Sequence, residues 1–125
     1  MTKSMAIDFR YGDSVIRRVI LESPFAGDVV QNIAYARAAM RDCLERGEAP
    51  FASHLIYTLA GVLCDGLNDE RRKGIDAGLL WGAVAHATVV YTDLGVSPGM
   101  REGIAAAERC RRPIEYRSLP NWGQI

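Results

Sequence analysis

Apolar and polar positions along this chain follow two periods in turn, and the alternation outlines its elements. The β-branched run over residues 15–22, with Val15, Ile16, Val19, Ile20 and Leu21, predicts a strand that stops at Ser23. Over 28–46 the residues Val29, Ile33, Ala36, Met40 and Leu44 recur at helical spacing, with Asp28 as N-cap and Gly47 as C-cap. Residues 49–53 read as a second strand that runs into His54, Leu55, Ile56 and Tyr57, and a long connection over 58–67 follows, broken by Gly61 and Gly66. A second helix starts at Asn68, with Asp69 and Glu70 where negative charge suits the helix dipole and Ile75, Leu79, Gly82 and Ala83 on one face. Residues 87–92 form the kind of apolar run that a strand buried on both sides shows. Ser97 and Pro98 then supply N-cap and first turn for a third helix to about Arg109, and 113–117 read as a last strand. The tail, 118–125, carries Pro120 and Trp122 and is expected to pack irregularly. Residues 1–14 are an arm or add an edge strand around 7–10, leaving 15–125 as one domain.

Strands alternating with helices in this way predict an α/β fold, a three-layer sandwich whose mainly parallel sheet of four to five strands carries helices on both faces. Ligands of such folds bind beyond the carboxyl ends of the strands. That edge collects 23–27, 54–57, 93–99 and Arg117.

A length of 125 residues suffices for one ordinary core. Fifteen basic and fifteen acidic residues cancel, so the chain lacks the basic footprint of a nucleic-acid binder. Three cysteines without CxxC spacing, Cys43, Cys64 and Cys110, argue against a disulfide framework and fit a reducing compartment; Cys43 and Cys110 read as small apolar fillers. No apolar run approaches the roughly 20 residues of a membrane span. We therefore expect a soluble cytoplasmic protein without a membrane partner. His54 and His86, the two histidines, have no chelating spacing, so neither metal nor cofactor is expected.

The stretch Ser23-Pro24-Phe25-Ala26-Gly27-Asp28 turns a strand directly into a helix N-terminus, where backbone amides and the helix dipole favour an anion or a sugar. It lacks the GxGxxG and GKS or GKT signatures of dinucleotide and triphosphate sites. A plain strand-to-helix connection would use the same residues with no ligand. His54 and Tyr57 offer an imidazole and a phenol that suit a base or sugar, although a lone histidine is commonly structural. Arg72, in the basic run Arg71-Arg72-Lys73, serves as a phosphate clamp if it turns toward the sheet edge; otherwise the run is a solvated face.

Ser23-Pro24-Phe25-Ala26-Gly27-Asp28, Ala49-Pro50-Phe51-Ala52-Ser53-His54-Leu55-Ile56-Tyr57, Ser97-Pro98-Gly99-Met100 and Pro113-Ile114-Glu115-Tyr116-Arg117 together resemble the small, often phage-encoded relatives of nucleoside 2-deoxyribosyltransferases. The resemblance spans about 15–117 and implies a flavodoxin-like fold, a homodimer or larger assembly, and a nucleoside or nucleotide partner. It further implies cleavage or transfer at an N-glycosidic bond by a glutamate on the helix after the Ser-x-Gly turn. In the enzymes that glutamate commonly lies six residues after the serine of the turn, where this chain has Gly103. Glu102 stands one residue early, about 100° around the helix and largely away from the face defined by Met100, Ile104 and Ala107. His86 also departs from an aspartate that relatives often carry near the third strand.

On the enzyme reading, Glu102, or alternatively Asp93, attacks the anomeric carbon, and Tyr57 or His54 assists departure of the base. Ser23, Pro24, Phe25, Gly27, Ser97, Gly99 and Met100 then form the wall that holds the sugar and its 5′ group. The competing reading is a binder that keeps the pocket without a nucleophile and sequesters or senses a nucleotide-derived ligand. Use of the fold for assembly alone is a third.

Overall fold

The computed structural model describes residues 9–11 and 14–123. Four strands, β2 (Ser14–Glu22), β3 (Glu48–Phe51), β4 (Ala87–Tyr91) and β5 (Ile114–Arg117), form a parallel sheet in the order β3-β2-β4-β5. A short strand, β1 (Phe9–Tyr11), pairs antiparallel with the first residues of β2. The edge strand expected around 7–10 thus lies partly outside the described residues. Helices α1 (Val29–Glu45), α2 (Ser53–Ile56), α3 (Asn68–Gly82) and α4 (Pro98–Arg109) complete a flavodoxin-like α/β sandwich. Among the described residues, no helix is long and apolar enough to cross a membrane.

Strand alternation sorts side chains between the two faces of the sheet. Val19 and Leu21 of β2, with Ala87, Val89 and Tyr91 of β4, pack beneath Tyr35, Ala39 and Cys43 of α1, all buried. Ile20 and Glu22 of β2 fall on the opposite face, under α3 and α4. Burial of β4 on both sides explains its apolar character.

The helix ends follow local chemistry. Asp28 caps α1 by accepting from the Gln31 amide, and Ser97 caps α4 by accepting from the Met100 amide. At its other end α4 closes with the Arg111 amide on the Glu108 carbonyl and the Arg112 amide on the Ala107 carbonyl, a Schellman arrangement with Arg111 at a left-handed φ of 55°. That turn carries Arg112 back beneath the helix.

Three local expectations differ from the structure. Residues 53–56 are a helical turn, closed by amides of Leu55 and Ile56 on the Ala52 carbonyl, so His54 leaves the sheet plane at once. Cys110 is exposed at the C-terminus of α4, whereas Cys43 is buried. Arg117 turns away from the carboxyl edge of the sheet and lies buried on the α1 face, where it donates two 2.7 Å hydrogen bonds to Glu48. The described part of the tail, 118–123, is irregular as expected, with Trp122 edge-on to Tyr35 at a centroid distance of 4.9 Å.

The Arg117–Glu48 pair is 5% and 6% exposed, and Arg17 adds a further hydrogen bond of 2.8 Å to the same carboxylate. Burial alone would raise the Glu48 pKa; the hydrogen bonds from Arg117 and Arg17 outweigh it and hold the carboxyl below the usual range. Removing Glu48 leaves the buried Arg117 with only the more exposed Glu115 as acidic partner, 2.9 Å away, which Arg17 also shares. Glu48→Ala is therefore expected to cost roughly 2–4 kcal/mol, below the full penalty of an uncompensated buried charge, measured by urea unfolding; a loss below about 1 kcal/mol would mean that Glu115 alone satisfies Arg117.

Candidate functional site

A cavity of about 170 Å³ opens at the carboxyl ends of the parallel strands, between the sheet and helices α3 and α4. Its volume is comparable to cavities that admit a single six-membered ring. The end of β2 and the turn after it contribute Glu22, Ser23 and Phe25, α2 contributes His54, and the N-terminus of α4 contributes Ser97, Gly99 and Met100.

Ser23 and His54 are joined by a 2.7 Å hydrogen bond between Oγ and Nε2. Burial pushes the imidazole down to about 4, so it is neutral at pH 7. The Thr58 hydroxyl donates to the His54 carbonyl at 2.6 Å and fixes the short helix from behind. A Cβ at Gly78 would meet the Ser53 side chain at 2.6 Å, which explains a glycine inside α3 where this turn packs.

Glu22 is the group that sequence reasoning passed over. As the last residue of β2 it reads as a strand end, yet alternation directs it toward α4. That helix buries Met100, Gly103 and Ala107 against the sheet, and a Cβ added at Gly103 would fall on the Glu22 carboxylate. Among the described residues Glu22 makes no hydrogen bond or ion pair. Burial pushes its carboxyl up to about 8, and the charge of Arg112, on the same cavity wall, pulls partly the other way. Arg112 is itself held by Thr88 at 3.0 Å and by the Gly82 carbonyl at 2.8 Å.

The other residues singled out in the sequence divide by place. Pro24 is buried beside the cavity and Gly27, with φ of 104°, shapes the exposed turn; neither lines the cavity. Tyr57 lines a smaller adjoining cavity of about 50 Å³ that shares His54, and its hydroxyl accepts from Trp81 Nε1 at 3.0 Å. Asp93 lies outside both, accepting from the Tyr35 hydroxyl at 2.6 Å and the Leu119 amide at 2.9 Å. Glu102 and Arg72 pair with each other at 2.9 Å on the outer surface, and Arg72 also holds Asp76. They leave the cavity because each sits one position out of phase on its helix. The neighbours Arg71 and Gly103 occupy the inward positions. Arg71 lies 3.8 Å from Asp65 and close to Gly99 at the start of α4. Among the described residues, no three histidine, cysteine or acidic side chains come together as a metal site.

A family model described as a domain of unknown function, DUF7768, matches residues 17–117. No curated protein matches the sequence. Among solved structures, the chain is similar to the 2-deoxyribosyltransferase from the psychrotolerant bacterium Bacillus psychrosaccharolyticus. The two share 18% identity and a TM-score of 0.54, over 86% of this chain and 75% of that one. At this identity the likeness is one of fold.

The raised Glu22 pKa has a definite sign in stability. A carboxyl whose folded pKa of about 8 exceeds its unfolded value near 4.5 contributes fully below pH 4.5 and loses that contribution as pH rises through 8. His54, with a folded pKa of about 4, acts oppositely and loses its contribution as pH falls below about 6.5, so variants must be compared at a common pH. Glu22→Gln is expected to raise Tm at pH 8 by roughly 4 °C or more and to leave it nearly unchanged at pH 4. Scanning calorimetry checks this, and a lower Tm at pH 8 would mean that the charged form is stabilised in the fold.

Proposed function

The chain belongs to the DUF7768 family, and we propose that it binds a nucleoside or nucleoside monophosphate and cleaves or transfers at its N-glycosidic bond. The observation that carries this reading is the convergence of unlike polar groups in one cavity at the carboxyl edge of the sheet. The Ser97-capped start of α4 and the Arg71 guanidinium provide a positive mouth, the neutral Ser23–His54 pair provides hydrogen bonding, and Phe25 and Met100 provide apolar cover. The shared fold adds weight, because the similar bacterial protein is a 2-deoxyribosyltransferase described as a biocatalyst for nucleoside synthesis.

Binding without turnover is the second reading. The placement of Glu102 favours it: this glutamate of α4 faces Arg72 and the solvent. On this reading the cavity captures a nucleotide-derived ligand and releases it intact.

A panel of ribo- and deoxyribonucleosides and their 5′-monophosphates distinguishes the two. Ligands of the native state raise Tm, and chromatography reports released base. Stabilisation with base release supports the enzyme, and stabilisation alone supports the binder. Absence of both counts against nucleosides and their monophosphates as ligands. Arg71→Ala is expected to weaken monophosphates about tenfold, roughly 1.4 kcal/mol, while nucleosides lose little. Calorimetric titration checks the difference; an equal loss for both would remove Arg71 from phosphate recognition.

A further inference from the structure

We propose that Glu22 is the catalytic carboxylate of this cavity, attacking the anomeric carbon of a bound nucleoside from the space that Gly103 leaves open. The inference rests on the nucleoside reading above and deepens it.

The position of Glu22 is the first support. Its neighbour two residues earlier on the same face is Ile20, and an apolar residue at 22 would continue that packing under α4. A carboxylate stands there instead, in a protein that pairs its buried carboxylate, Glu48, with two arginines. Gly103 is the second support. Glycine inside a helix costs roughly 1 kcal/mol relative to alanine, and any side chain at 103 would displace the Glu22 carboxylate. The sequence therefore accepts two unfavourable choices at one contact, and together they hold an unpaired acid in the cavity wall.

The surroundings fit glycosyl chemistry. The mouth formed by Ser97, Gly99 and Arg71 suits the polar 5′ end of the ligand, while Ser23 and His54 line the same cavity. In the first step an oxygen of ionised Glu22 bonds to C1′ and the C1′–N bond breaks. Its electron pair passes to the base nitrogen, which takes one proton from water. In the second step water, or the nitrogen of another base, attacks C1′ and the ester bond to Glu22 breaks. The carboxylate is restored, and the attacking group gives up its proton to solvent. Arg112 favours the ionised form that this requires.

The test combines wild type, Glu22→Gln and Gly103→Ala with three measurements. These are base release from nucleosides and monophosphates, Tm with and without ligand, and peptide mass after reaction with 2-fluoro-2-deoxyarabinosyl nucleosides, which slow the second step. The expected result is a glycosyl adduct on the peptide containing Glu22. Base release should fall by about 10³-fold or more in Glu22→Gln while the ligand still raises its Tm. Gly103→Ala, which keeps the carboxylate but moves it, should lose at least tenfold with ligand stabilisation retained. In wild type, kcat/KM should rise with pH toward a plateau above about 8, because the ionised form is the nucleophile.

Turnover that survives Glu22→Gln, an adduct on Glu102 or any other residue, or a profile that falls above pH 8 overturns the proposal. Ligand stabilisation of the wild type with neither turnover nor adduct overturns the role of Glu22 and leaves binding intact. Failure of every nucleoside and monophosphate to stabilise or react overturns the nucleoside reading and this one with it.

Discussion

Removing a charge from water is costly enough that a small α/β protein must compensate each instance, and the two faces of this sheet respond to that cost differently. On the α1 face Glu48 is matched by Arg117 and Arg17, with short hydrogen bonds to each. On the α4 face Glu22 has no such partner, and its pKa moves instead. The packing of α4 depends on this second solution, since the helix approaches the sheet closely enough that only a glycine at 103 leaves room for the acid. The cavity is shaped around that contact, between the start of α4, the end of β2 and the short helix that carries His54.

Much of the architecture was legible because it is encoded locally. Asp28 and Ser97 announce their helices through side chains that accept from their own first turns, and the β4 run shows its double burial in composition alone. Ser23, Phe25, His54, Ser97, Gly99 and Met100 could be grouped from the rule that parallel sheets gather ligands at their carboxyl edge. Helix phase was less legible. Arg72 and Glu102 are each one residue, about 100°, from the inward-facing position, and a single apolar stripe does not define rotation that finely. Glu22 was least legible of all. Its significance comes from a glycine on a distant helix, and a lone acidic residue ending a strand carries no mark of what will cover it.

The chain shares its fold with a 2-deoxyribosyltransferase at 18% identity. Folds of this class host unrelated chemistries, so meaning must come from the groups inside the cavity. Here those groups are a neutral imidazole bonded to a serine, a helix start flanked by an arginine, and one isolated carboxyl.

The Arg117–Glu48 bridge has a mechanical consequence. Its two residues come from β5 and β3, the outermost strands of the parallel sheet, so one ion pair spans the two central strands between them. The margins of an open sheet are held by a neighbouring strand on one side alone. Parting β3 from β5 breaks that pair, while Glu48 keeps Arg17 of β2 and Arg117 keeps Glu115 of its own strand, so the bridge ties the two margins together through a network in which each charge has a second partner. The α1 face thus carries a charge network drawn from β2, β3 and β5, on the side of the sheet opposite the cavity.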